Sequence, residues 1–223
     1  MHQNYVKVLQ SRSQRAKDSG QPGKLRAGFD GDKWGAETGW YDLGNGHALI
    51  WLNIIDPQGR ALWEGRDEIT ARLGAGRADW LLRRQRNLLL FPNVQLMDQN
   101  STQIRVFRPL APDLTEVKIY CFAPKGESAA ARERRIRQYE DFFNVSGMAT
   151  PDDLAVFEAV QTGCTANGNL LQRFDRGLGR AQASPAERTR SLGIQPVDEG
   201  HDVQDENLYR GVYRQWSKMM NLA

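Results

Sequence analysis

Histidine and cysteine are both scarce in this chain, with three of the first and two of the second among 223 residues. Two distant cysteines, Cys121 and Cys164, do not make a disulfide scaffold, so a reducing cytoplasm is the expected compartment. So few histidines leave a Ser-His-Asp triad poor prospects, and no G-x-S-x-G nucleophile elbow accompanies them. Neither a P-loop nor a G-x-G-x-x-G turn occurs, which removes the common nucleotide-binding signatures. The net charge is only +3. That does not mark a nucleic-acid binder unless the charge is concentrated on one face. No apolar run approaches the roughly 20 residues needed to span a bilayer, so no membrane partner is expected. The opening MHQNYVKVLQSRSQR lacks the apolar stretch of a signal peptide.

What is present fits a globular domain. Hydrophobic residues make up 40% and charged residues 26%, enough for one domain spanning 1–223 with a sizeable core. Residues 1–45 are polar and glycine-rich and read as a loop-like entry segment that wraps a core rather than forming one. The run HALIWLNII, from His47 to Ile55, has the continuous apolarity of a buried strand. Asp56-Pro57-Gln58-Gly59 is a turn signal. Glu64–Leu73 and Gly76–Arg86 have helical composition, with Trp80 and Leu81 inward.

Strands then dominate. Asn87–Phe91, Gln103–Phe107 and Thr115–Phe122 read as strands of an antiparallel sheet joined by short turns. Ser128–Phe143 reads as a helix with Ile136, Tyr139 and Phe143 on one stripe. Its other face carries Arg132, Glu133, Arg134, Arg135 and Arg137. A solvated helix face explains that run better than a nucleic-acid patch. Thr150-Pro151-Asp152-Asp153 predicts a second helix start, with Thr150 at the N-cap, Pro151 in the first helical position and Asp153 at N3. Residues 163–204, rich in Gly, Gln, Ser and Arg, read as an irregular excursion open to a partner. Asp205 is placed to cap a last helix with Leu208, Val212, Trp216 and Met219 as its apolar stripe. Together these elements make an α+β domain.

Metal-based oxygen chemistry would start from histidine. Two histidines and a carboxylate on one face of Fe(II) leave three coordination positions open. The three histidines are His2, His47 and His201. His47 enters an apolar strand and reads as structural. His201 lies in the polar DEGHDVQDEN segment and reads as solvated, although Glu199 and Asp202 beside it could make an adventitious site. From the residues alone, Asp153 reads as a capping-box acid at a helix start.

The stretch NLLLFPNVQLMDQNSTQIRVFRPL, followed by TEVKIYCFAPKGESAAARERRIRQYEDFFNVSGMATPDD, resembles the catalytic core of the alpha subunits of Rieske-type aromatic-ring-hydroxylating dioxygenases, in the branch acting on benzoate and anthranilate. The resemblance is good over 46–153, fair over ENLYRGVYRQWSKMM, and weak over the entry segment and 163–204. It implies a helix-grip fold of the Bet v 1-like or START-like kind, an antiparallel sheet curved round helices over an apolar pocket. It implies a mononuclear Fe(II) held by His2 and Asp153, with a further histidine expected upstream of Met1. The [2Fe-2S] Rieske cluster, with its paired cysteine and histidine ligands, would belong to a preceding domain that this chain lacks. The chain is therefore expected to be an amino-terminally truncated catalytic domain, inactive alone.

The pocket positions implied are Gln85, Asn87, Met97, Phe143 and Ala149. Arg105, Gln95 and Gln103 are candidates for an aryl carboxylate, because an unpaired buried carboxylate is costly. The implied partners are an aryl carboxylate and O2, a smaller beta subunit, other alpha subunits and an NADH-dependent reductase. The alternative from another class is a non-catalytic helix-grip domain that binds a ligand without iron.

Overall fold

A computed structural model describes residues 37–54, 57–99, 101–166, 171, 173–179 and 187–221, with Ser11, Gln14, Arg15 and Asp18 of the amino-terminal segment. Its sheet begins with an antiparallel hairpin of β1 (Thr38–Gly44) and β2 (His47–Asn53). The turn between them is Asn45-Gly46, both with positive φ, 52° and 77°. That is the geometry of a two-residue hairpin turn whose twist matches the flanking strands, and Asn-Gly adopts it at least cost.

Five more strands complete the sheet: β3 (Arg84–Leu90), β4 (Val94–Asp98), β5 (Thr102–Ala111), β6 (Leu114–Phe122) and β7 (Asp198–Gly200). Their order is β6-β5-β4-β3-β2-β1-β7, and every pairing is antiparallel. The order follows the chain from β1 to β6. Only β7 returns from far along the sequence, to close the open edge of β1.

Strand alternation sends two sets of side chains to opposite faces. On one face Tyr41, Leu49 and Trp51 are buried, with Trp80 and Leu88 against them. The rings of Trp51 and Trp80 lie 5.5 Å apart. Helix α1 (Arg66–Leu73) packs against α2 (Ala75–Arg83), which lies on this face, brings Trp80 and buries Ala78 and Leu82. On the other face Trp40 and Ala48 pack with Leu208 of α6 (Asn207–Met219), with Ile50, Leu89 and Val212 around them. The long α3 (Ala129–Phe143) begins at Ser128, whose hydroxyl accepts from the Ala131 amide at 3.1 Å. It is followed by α4 (Thr150–Ala166) and the short α5 (Glu187–Leu192). The α+β expectation of an antiparallel sheet carrying helices holds.

Several sequence expectations are corrected. The loop-like entry segment does not extend to residue 45, because 38–44 form β1, the most buried strand of the sheet. Its glycine is a packing requirement: a Cβ on Gly39 would stand 2.6 Å from Gly200 O and 2.7 Å from the Trp51 ring. The excursion over 163–204 is not irregular throughout, since it holds the end of α4, all of α5 and the edge strand β7. The second helix stops at Arg83, and Arg84–Asn87 are strand, paired to Asn53–Ile50 of β2. Arg and Gln favour helix locally, but ladder pairing outweighs a propensity of a few tenths of a kcal/mol. Asp205 does not cap α6. Glu206 occupies the N-cap, and Asp205 accepts from Trp40 Nε1 at 3.5 Å. Leu208 is buried, but Trp216 and Met219 are exposed, so the apolar stripe runs past the covered part of the sheet.

The basic face of α3 is largely neutralised. Glu127 receives Arg135 through two hydrogen bonds and also pairs with Arg132, and Arg134 pairs with Glu64. Among the described residues no helix is long and apolar enough to cross a membrane.

Candidate active site

The register of the sheet lines up the pocket residues expected from sequence. Asn87 pairs with Met97, Met97 with Gln103, and Gln95 with Arg105. Residues directly opposite one another share a face, and so do residues two apart on a strand. Gln85 and Asn87 of β3, Gln95 and Met97 of β4, and Gln103 and Arg105 of β5 therefore project from one face. It is the face that carries Trp40, Ala48 and α6. Most of the family-implied set thus converges without any local sequence signal that could have brought it together.

Helix α3 brings Phe143 onto this face. Phe143 is buried, its ring meets Phe142 edge-on at 4.6 Å, and the Arg105 guanidinium lies 5.1 Å from its centroid. Ala149 is buried where the loop enters α4. That loop is fastened to the end of α3: the Met148 and Ala149 amides donate to the carbonyls of Asp141 and Phe142, each at 3.0 Å. The Thr150 hydroxyl donates to Phe143 O at 2.7 Å. Thr150 is therefore not the cap of α4. The Asp153 amide donates to Ala149 O, which makes Ala149 the N-cap and Asp152, not Asp153, the N3 acid.

On this face the polar side chains form a chain. The Gln103 side chain, almost wholly buried, donates from Nε2 to Ser101 Oγ at 2.6 Å. Its Oε1 accepts from Arg105 Nε at 3.2 Å. Arg105 Nη2 and Asn87 Oδ1 are buried without a hydrogen-bond partner. Burial pulls the Arg105 pKa below its ordinary value, and the nearby Asp153 carboxylate and Tyr139 partly offset this. Asp153, half-buried, is thus close enough for its charge to act on Arg105. Ser101 and Tyr139 were not singled out from sequence. A serine in a turn and a tyrosine on a helix stripe carry no signal of such a role.

The metal expectation is only partly represented. His2 lies outside the described residues. His47 is structural, as its sequence context suggested: its Nδ1 accepts from the Phe91 amide at 3.0 Å. His201 is exposed. Among the described residues no group of three or more His, Cys, Asp or Glu side chains could hold a metal ion. Asp153 supplies one carboxylate beside a cation, and that donor set alone does not make a metal site.

The ring-hydroxylating alpha subunit (catalytic domain) model matches residues 1–222. The chain belongs to that family. It is 42% identical over 221 residues to the toluate 1,2-dioxygenase alpha subunit of Pseudomonas putida, covering 99% of this chain and 47% of that protein. It is 40% identical to the 2-halobenzoate 1,2-dioxygenase large subunit of Burkholderia cepacia and 37% identical to the anthranilate 1,2-dioxygenase large subunit of Acinetobacter baylyi. The chain spans just under half the length of these relatives. The fold is that of naphthalene 1,2-dioxygenase from Rhodococcus sp. bound to indole, with a TM-score of 0.65 at 17% identity over 84% of this chain and 46% of that one. In this alpha-subunit catalytic domain, the sheet face of Arg105 lies beside the α3–α4 corner through Phe143.

Proposed function

We propose that this chain is the catalytic part of a ring-hydroxylating dioxygenase acting on an aryl carboxylate. The observation that carries the reading is its 37–42% identity, along nearly its whole length, to alpha subunits named for toluate, 2-halobenzoate and anthranilate. This sheet face supports it, because the apolar side chains of Met97 and Phe143 accompany a half-buried cation, Arg105. In this reaction both atoms of O2 go to adjacent ring carbons. NADH supplies two electrons through a reductase and a Rieske cluster, and two protons complete the hydroxyls of a cis-diol. An ortho-amino or ortho-halo substituent lets that product collapse to a catechol. Fe(II) is the metal the reading requires, with Asp153 and His2 as two of its ligands. The partners it requires are further alpha subunits, a beta subunit and the NADH-dependent reductase, in the cytoplasm.

The test is a chimera in which the amino-terminal half of the Pseudomonas putida relative precedes this chain, assembled with beta subunit, reductase, Fe(II) and NADH. With benzoate and isotopically labelled O2, both labelled atoms should enter one ring-derived diol, and Asp153→Ala should abolish both iron retention and product. A folded, iron-loaded chimera that gives no oxygenated ring product would count against the reading. Aryl carboxylate binding that persists without iron, and is indifferent to Asp153→Ala, would favour a non-catalytic ligand-binding domain.

A further inference from the structure

We propose that the uncovered apolar face of α4 is the docking surface for the amino-terminal segment of this same chain, through Tyr5, Val8 and Leu9. Helix α4 runs for 17 residues, Thr150–Ala166, and none of them is buried. Leu154, Val156, Phe157 and Val160 are 48–57% exposed. On a helix of 3.6 residues per turn these four fall within one arc, so they make a single apolar face. The helix is nevertheless tied down near both ends. The Asp153 amide and the Thr150 hydroxyl fasten its start to Ala149 and to the end of α3. Gln161 Nε2 donates to Pro112 O of the β5–β6 turn at 3.1 Å. Uncovered helices of about this length are marginal in water, and packing of an apolar face is what stabilises them. Val156, Thr162, Gly163 and Thr165 lower the intrinsic propensity further. Such a helix requires a cover.

Charge points to the occupant. Helix α4 carries Asp152, Asp153 and Glu158 and no lysine or arginine, so it favours a basic partner. Residues 1–18 carry Lys7, Arg12, Arg15 and Lys17 against the single acid Asp18. Tyr5, Val8 and Leu9 stand at i, i+3 and i+4, with Arg12 at i+7, the spacing of an apolar helical stripe that ends in a cation. Residues 5–9 lie outside the described residues. Just beyond them Ser11, Gln14, Arg15 and Asp18 are helical, with Gln14 Nε2 on Asp18 Oδ1 at 2.8 Å and Arg15 Nη2 on Ser11 Oγ at 3.1 Å. Length permits the contact. The segment joins β1, four strands from β5 in the sheet, which is about 19 Å. The chain between Leu9 and Thr38 can span that several times over. A second copy fits less well, because the face is one helix wide and a stable interface takes about 800 Å² per partner. A tethered segment needs less, since its effective concentration is high. Docked there, the start of the chain sits at the α3–α4 corner, near Phe143 and Arg105. Nothing in this docking depends on the aryl carboxylate reading.

The experiment is amide hydrogen exchange, read by mass spectrometry, on the 223-residue chain. In the native chain residues 3–10 and 150–166 should both exchange more slowly than unstructured peptides of the same sequences. Leu9→Glu removes an apolar contact and sets an acid against an acidic helix. It should speed exchange over 150–166 by about tenfold and leave β2 and β3 unchanged. Leu9→Met should keep the protection, because it keeps the apolar volume. Reciprocally, Phe157→Ser should speed exchange over 3–10 by a similar factor. Slow exchange in β2 and β3 shows that the fold is intact in each variant. If Leu9→Glu disturbs the sheet, Phe157→Ser decides by the same comparison. Exchange over 3–10 at the unstructured rate in the native chain overturns the docking, as does protection of 150–166 that is indifferent to Leu9→Glu. Protection of 150–166 that grows with chain concentration overturns it in favour of a second copy.

Discussion

The backbone amide of Asp153 donates to the carbonyl of Ala149 at 3.0 Å. This one bond sets the frame of α4. With Ala149 at the N-cap, Asp152 takes the N3 place and Asp153 falls one residue beyond it, outside the reach of a capping box. The competing explanation for Asp153 as a helix-capping acid is thereby removed.

Helix stability should therefore respond to Asp152 and not to Asp153. Asp152→Ala is expected to cost about 0.3–1 kcal/mol through the helix dipole. Asp153→Asn should stay within about 0.5 kcal/mol of the native chain. Urea unfolding of both variants, followed by circular dichroism, checks the pair. A larger loss from Asp153→Asn than from Asp152→Ala would return Asp153 to a structural role.

On the far face of the sheet Asp98 lies between Arg60 and Arg86, and also accepts from Thr102 Oγ1 at 3.0 Å. Arg60 is tied down further by the carbonyls of Leu81 and Leu82. The group joins β3, β4 and the segment before α1. Asp98→Ala leaves two buried guanidinium groups without their anion and should cost about 3–5 kcal/mol. Replacing all three residues by apolar side chains of matched volume should cost much less, because no charge is then left uncompensated. Denaturation midpoints for the single and triple variants separate the two effects.

The same carboxylate gives the fold an acid limit. Burial alone would push the Asp98 pKa up, but the charges and hydrogen bonds of Arg60 and Arg86 outweigh it and hold the group below its ordinary value. A pKa depressed in the folded state means that the unfolded chain binds the proton first. The stabilisation is complete above the unfolded value of about 3.9 and is lost as pH falls below it toward the folded pKa. Thermal midpoints should decline below roughly pH 4. In Asp98→Asn that decline should be shallower, and an unchanged slope would assign the acid limit to other carboxylates.

Gly211 sets two effects against each other. It lies inside α6, where exchange to alanine ordinarily gains about 1 kcal/mol of helix propensity. A Cβ there would stand 2.2 Å from Asp42 Oδ2. Asp42 is buried and holds the Gly44 amide at 2.9 Å, so it is not free to swing aside. Overpacking costs about 1–3 kcal/mol, and Gly211→Ala should be net destabilising. A raised melting temperature would show that Asp42 yields.

Alternation in the sequence was enough to place β5 and β6 and the end of β3, because a period of two is a property of the strand itself. Strand β4 (Val94–Asp98), which carries Met97, does not read as a strand from its residues. The turn residues Asn45-Gly46 suit a hairpin, but the polar, glycine-rich stretch before them reads as loop, so the hairpin was not legible. Strand β1 was hidden in a polar, glycine-rich stretch, since its burial comes from Trp51 and Gly200 packing onto Gly39 across the sheet. Edge strand β7 has three residues, DEG, and no strand signal at all. It exists because β1 offers it a ladder.

The residues themselves determined the family and the α+β class, because motif and periodicity are written in the order of the chain. Which polar side chains of that sheet face are already hydrogen-bonded was decided only in three dimensions. Both ends of the Gln103 amide are engaged, while Arg105 Nη2 is left without an acceptor. Such satisfaction depends on Ser101, Phe143 and the β4–β5 register together. No stretch of sequence shorter than the folded sheet contains all of them.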